Sequence, residues 1–134
     1  MKIAAAQISC ALGDVAANLR KISDFSTQAR EGGAKLVVFP EMADTGYAMP
    51  VIEACARPWN EGAVPELQKI ARGLSIAIIC GVSERDDGSI YNSQVFIDAN
   101  GNVRNIYSSD TLDQRLVLAD VKTLLLEEKK LSKQ

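Results

Sequence analysis

Leu36-Val37-Val38-Phe39-Pro40-Glu41-Met42-Ala43-Asp44-Thr45-Gly46-Tyr47 is the stretch on which the reading of this chain turns. Four bulky apolar residues stop at a proline, and a lone carboxylate follows. The apolar run reads as a buried strand. Pro40 has no N–H to give to a sheet ladder, so it ends the strand or sits at its edge. Glu41 is then expected at the mouth of a sheet, where active-site residues of open α/β folds collect. A carboxylate held against apolar walls has a raised pKa, which suits a general base or acid near neutral pH. The competing reading is an exposed glutamate in a strand-to-helix loop.

The flanks extend the pattern in both directions. Residues 2–10 read as a first strand, and Asp14 as the N-cap of a helix. Val15, Leu19, Ile22, Phe25 and Ala29 recur at three- and four-residue steps, giving that helix one apolar stripe. Gly32-Gly33 ends it. Downstream, Pro50 opens a short helix from Met49 to Arg57, and Pro65 opens another, whose buried face is Leu67, Ile70, Ala71 and Leu74. Ile76 to Val82 is a continuous apolar run, expected to be a strand buried on both faces. The order β-α-β-α-β predicts a sheet with helices packed on it. Asp86-Asp87-Gly88 and Asn100-Gly101 then mark two turns, so strands over 82–85, 90–97 and 103–107 extend the sheet as antiparallel hairpins. Arg115 to Ala119 reads as a last strand and Val121 to Lys130 as a helix.

Composition narrows the function classes. The 134 residues suffice for one domain, with 47% hydrophobic and 24% charged residues. A net charge of −2 with scattered Lys and Arg, and 5% aromatics, argue against nucleic acid as a partner. No apolar run reaches a membrane span, and the N-terminus does not read as a signal peptide, so no membrane partner and a cytoplasmic location are expected. Three cysteines, Cys10, Cys55 and Cys80, form no CxxC pair, and there is no histidine. That excludes a zinc site or a Cys-His pair within one chain, and no metal or organic cofactor is implied.

Several motifs in order over residues 1–107 carry a resemblance. They are Ala5-Ala6-Gln7, Gly13-Asp14 with Asn18-Leu19, Gly33 through Glu41, Thr45-Gly46-Tyr47, Gly81 through Arg85, Ile90-Tyr91-Asn92-Ser93 and Asp98 through Gly101. In this order they resemble the nitrilase superfamily of carbon–nitrogen hydrolases. The resemblance implies an α/β fold of αββα sandwich type, and a Glu-Lys-Cys set that hydrolyses or condenses small amides and nitriles through a thioester. It makes Glu41 the general base, which takes the thiol proton and later activates water. Tyr47 is a candidate for the pocket wall, with packing against its loop as the alternative. Asn92 is a candidate tie for a turn near the site, and Trp59 an anchor for its polar loop.

Two members of the set do not carry over. The family's lysine follows a tyrosine by two residues, and here Tyr107-Ser108-Ser109 puts Ser109 in its place. A serine brings one hydrogen bond and no charge to a developing oxyanion. The family's cysteine motif is also absent, and Cys10, Cys55 and Cys80 stand in the wrong contexts, so no nucleophilic cysteine is assigned. Leu112 to Lys130 resembles the family's extreme C-terminus. The chain therefore reads as one partial domain over 1–134, an N-terminal half over 1–107 joined to a C-terminal strand and helix over 111–134, with an internal segment lost.

The expected architecture is about one α/β layer, a mixed sheet with helices on one face, completed by self-association. Without a second layer, the inner face, with residues from Ile3–Ile8 and Ile76–Cys80, should meet water. Several large side chains at about 1.5–3 kcal/mol each would rival a whole domain's stability of about 5–15 kcal/mol, so a homo-oligomer is expected. Three functions stay open: a hydrolase on a small amide or nitrile, a non-catalytic remnant that binds itself or a full-length relative, and a small-molecule binding module at Glu41 and Tyr47.

Overall fold

The computed structural model describes residues 1–108. The expected strand at 115–119, the helix at 121–130, the C-terminal unit at 111–134 and Ser109 lie outside the described residues. The described residues form, in order, β1 (Ile3–Ala5), α1 (Val15–Glu31), β2 (Leu36–Val38), α2 (Met49–Cys55), α3 (Val64–Leu74), β3 (Ala77–Asp86), β4 (Ser89–Ile97) and β5 (Val103–Ser108). The strands form one mixed sheet in sequence order among the described residues. β1, β2 and β3 are parallel, with Ile3, Leu36 and Ala77 in register, and β3–β4–β5 are antiparallel.

Local chemistry sets the helix ends. The Asp14 carboxylate accepts the Ala17 N–H at 3.0 Å and starts α1. Lys35 N–H then bonds Lys2 O at 2.9 Å, so the chain enters β2 already paired with the first strand segment. Proline in the first turn of α2 and of α3 fixes φ where no hydrogen-bonding N–H is needed.

One face of the sheet carries the main core. Val37, Ile78, Cys80, Val82, Val95 and Ile97 meet Ile22 of α1 and Val64, Leu67 and Ala71 of α3 there. The α1 stripe is only partly the expected one. Asn18, Ile22 and Ser26 are its buried residues, and Phe25 stands 37% exposed. The buried line therefore runs at four-residue steps through two polar side chains, and hydropathy alone skips them. Ser26 Oγ is fully buried without a hydrogen-bond partner among the described residues. Its desolvation is uncompensated. Ser26→Ala is expected to raise stability by about 1 kcal/mol, read as an increase of about 3–5 °C in Tm.

The opposite face corrects an expectation. Leu36, Ala77, Ile79 and Phe96 form a second cluster there and are buried, so this face does not meet water as a whole. On the β1 side, Ile3 is 47% exposed. The first strand is also shorter than the expected 2–10. Ladder pairing stops once β2 turns away at Pro40, though Ala6 N–H still reaches Val38 O at 2.8 Å.

The two hairpins differ. Asp87 and Gly88 both have positive φ, 47° and 81°, which makes a two-residue turn of type I′ between Asp86 and Ser89. The Asn100-Gly101 turn is longer than a two-residue hairpin. Asp98 N–H bonds Asn102 O, and the Asp98 carboxylate accepts the N–H groups of Asn100 and Asn102 at 2.9 and 3.0 Å. An aspartate that caps its own loop favours this wider turn, and a bulge between Phe96 and Ile97 follows from it.

Candidate functional site

The site is built where the parallel strands end. Phe39 N–H donates to Ile79 O at 2.8 Å and carries the β2–β3 ladder one residue further, with Phe39 itself buried. Gly81 N–H then donates to Pro40 O at 3.2 Å, and Ala43 N–H to Gly81 O at 3.0 Å. The segment after Pro40 thus folds back on β3. This approach needs a glycine. A Cβ at position 81 would stand 2.4 Å from Pro40 O and 2.5 Å from Glu41 Cα.

Residues 42–46 form a tight turn. Met42 has φ of 49°, Gly46 has φ of 79°, and Gly46 N–H donates to Met42 O at 2.8 Å. The turn is tied down from two sides. From the helical side, Asn18 Nδ2 donates to Asp44 O at 2.9 Å and to Ala11 O at 2.8 Å, and its Oδ1 accepts Ala11 N–H at 2.7 Å. From the sheet side, the Asp44 carboxylate accepts Ser83 N–H at 3.0 Å, the Ser83 hydroxyl at 2.7 Å and Thr45 N–H at 2.9 Å.

Asp44, only 4% exposed, is the residue that sequence reasoning missed. Burial pushes its pKa up from the usual carboxylate value of 3.8, and the hydrogen bonds from Ser83 and Thr45 oppose that rise. A buried carboxylate with a raised pKa thus stands in the quoted stretch at Asp44. Glu41, expected against apolar walls, has an exposed side chain and makes no side-chain hydrogen bond among the described residues. The reason is local. The fold-back after Pro40 turns Met42, Ala43, Asp44 and Thr45 inward and leaves Glu41 at the corner. The signal in the sequence was a single charge inside Met42-Ala43-Asp44-Thr45-Gly46, but its partner Ser83 lies 39 residues away.

The other expected residues scatter. Tyr47 is 64% exposed and is not packed into its loop. Asn92 lies inside β4 opposite Ser83. Trp59 is exposed in the loop between α2 and α3. Cys10 reaches the turn, with its thiol 3.6 Å from Ala43 O, and burial raises its pKa against the opposing charge of Lys21. Cys80 faces the main core, fully buried, and burial, then the Asp44 charge, pushes its thiol well up. Both are protonated, poorly nucleophilic thiols at neutral pH. No group of His, Cys, Asp and Glu among the described residues has the arrangement of a metal site. No described helix is long and apolar enough to cross a membrane.

Comparison with known proteins fits this geometry. The carbon–nitrogen hydrolase family model matches residues 2–121. An aliphatic nitrilase of Rhodococcus rhodochrous is 32% identical, with 75% of this chain and 31% of that protein covered. A nitrilase of Pyrococcus abyssi is 31% identical, with 75% and 40% covered. Among solved structures, an amidase from Nesterenkonia sp. superposes with a TM-score of 0.72 at 28% identity, over 79% of this chain and 41% of that one. The chain thus spans between about a third and two fifths of the length of these relatives, and its sheet with helices corresponds to one partial α/β layer of their fold. On the family match over most of its length, this chain belongs to the carbon–nitrogen hydrolase family of the nitrilase superfamily.

Proposed function

We propose that this chain carries the glutamate-bearing layer of a carbon–nitrogen hydrolase site, with Glu41 in the position of the general base, and that the chain by itself is catalytically impaired. The observation that carries this reading is the contrast around the turn at 41–46. Gly81, Asn18 and Asp44 hold the turn at the strand ends, while the thiols of Cys10 and Cys80 are raised in pKa and spent on structure. Thioester chemistry needs a thiolate to attack the carbonyl or nitrile carbon and a donor for the charge that develops. The substrates that this site would serve are short amides or nitriles, the chemistry named for its relatives.

The test is ammonia release from butyramide and short aliphatic nitriles by the purified chain. The expected result is no release above buffer, with Glu41→Gln indistinguishable from the parent. Turnover that disappears in Glu41→Gln would show a working site and end the impairment reading.

A second reading, a non-catalytic protein that associates with itself, is favoured by exposed apolar side chains at one end of the molecule. Leu12, Tyr47 and Met49 are all more than half exposed, and Leu12 lies against Gly46, next to Tyr47. Light scattering on a size-exclusion column distinguishes the two readings: a dimer supports self-association, and a monomer at all concentrations removes it.

A further inference from the structure

Beside the turn lies a cavity of about 300 Å³, at the small end of ligand pockets, which run from about 300 to about 1,000 Å³. Its wall combines the start of α1 at Val15, Cys55 at the end of α2, Arg57 just beyond it, Ala63 before α3, and the Asp44–Ser83 pair. Two features of it stand apart from the hydrolase site.

The first is the charge of Asp44. It is a buried carboxylate with three protein donors on it, and a carboxylate offers about four acceptor positions. No Lys or Arg pairs with it among the described residues. Burying an anion without a counter-charge is costly, and its raised pKa expresses that cost. An ammonium group in the cavity would supply the missing charge.

The second is Arg57. Its Nη1 caps the end of α2, donating to Ala54 O at 3.2 Å and Ala56 O at 2.9 Å. Its Nε and Nη2 make no hydrogen bond to the described residues. The backbone holding it is fixed, because Arg85 N–H donates to Arg57 O at 2.9 Å and Arg85 Nε to Ala56 O at 3.2 Å. Arg57 is exposed where Asp44 is buried, so the cavity has an anionic floor and a cationic rim. A simple cation is repelled by the rim and a simple anion by the floor. Val15, Ala63 and the arginine stem are apolar and suit a short methylene chain between two charges.

We propose that this cavity binds a small zwitterion of the amino-acid class, its ammonium on Asp44 and its carboxylate on Arg57. The proposal is independent of the hydrolase reading, since it uses neither Glu41 nor a nucleophile. The test is calorimetric and NMR titration of the full chain with glycine, β-alanine and γ-aminobutyrate, against n-butylamine and butyrate as singly charged controls. One member of the zwitterion series is expected to bind at least tenfold more tightly than either control, with amide shifts centred on Gly62, Ala63 and Ser83. Asp44→Asn, which keeps an oxygen for Ser83 N–H, and Arg57→Gln, at an exposed position, are each expected to weaken that binding at least tenfold while circular dichroism is unchanged. Ala63→Leu, which fills the cavity and leaves both charges in place, is expected to abolish it. Absence of saturable binding by all three zwitterions, butylamine or butyrate binding as tightly as the best of them, or binding that survives both Arg57→Gln and Ala63→Leu would each overturn the proposal.

Discussion

Gly81→Ala is expected to be among the most damaging single-methyl additions in this chain. The new Cβ would stand 2.4 Å from Pro40 O, 2.5 Å from Glu41 Cα and 2.9 Å from Glu41 C. All three are backbone atoms, so no side-chain rotation relieves the clash. Relief requires the 40–43 segment to lift from β3, which breaks Gly81 N–H to Pro40 O and Ala43 N–H to Gly81 O together. Overpacking of this kind costs about 1–3 kcal/mol and sometimes more. We expect the upper end, about 3 kcal/mol, because two hydrogen bonds are lost with it. In a domain of this size that is a fall of roughly 9–15 °C in Tm. Thermal denaturation by circular dichroism gives the size. Backbone amide shifts locate it, with the largest expected at 40–43. A Gly81→Ala protein that melts within about 2–3 °C of the parent, on the order of half a kcal/mol, would show that the approach of the two segments is not tight.

Asp44 should separate charge from hydrogen bonding. Asp44→Ala removes the acceptor for Ser83 N–H, Thr45 N–H and the Ser83 hydroxyl at once. Leaving buried donors unpaired costs about 1–3 kcal/mol each, so a loss of about 3–5 kcal/mol is expected, read as a lower midpoint in urea at unchanged slope. Asp44→Asn keeps one oxygen for Ser83 N–H and Thr45 N–H and discards the buried charge, so it is expected to cost far less. The pH dependence has a definite sign. The folded pKa of Asp44 lies above its unfolded value of 3.8. Its contribution to stability is therefore fully present below 3.8 and is lost as pH rises through the raised folded pKa. Between those two pH values the parent protein is expected to lose stability relative to Asp44→Asn as pH rises. Midpoints measured in parallel across this window check it, and parallel curves for the two proteins would refute it.

Much of the fold was legible because its signals are local. Asp14 caps its own helix, Gly32-Gly33 ends it, Pro50 and Pro65 open theirs, and Asp87-Gly88 makes its hairpin with backbone angles that only neighbouring residues set. The long apolar run at 76–82 is buried on both sides, as its composition implied. Less of the site was legible. The stretch at 36–47 marked the right place, but it could not show which of its two carboxylates turns inward. Hydropathy also left out Asn18 and Ser26, because their burial follows from where α1 lies against the sheet and from the carbonyls that Asn18 meets.

By itself the sequence determined the order of elements, the strand that stops at Pro40, and membership of the family, since periodicity, turn chemistry and motif order all reside in neighbouring residues. Tertiary structure alone decided that Glu41 stands at an exposed corner and Asp44 in the interior. That choice depends on Gly81 letting β3 approach the chain after Pro40 and on Ser83 meeting Asp44. The partners are separated by 39 positions, and only the packed sheet brings them within hydrogen-bonding distance, where burial raises the pKa of Asp44 and the Ser83 donors oppose that rise.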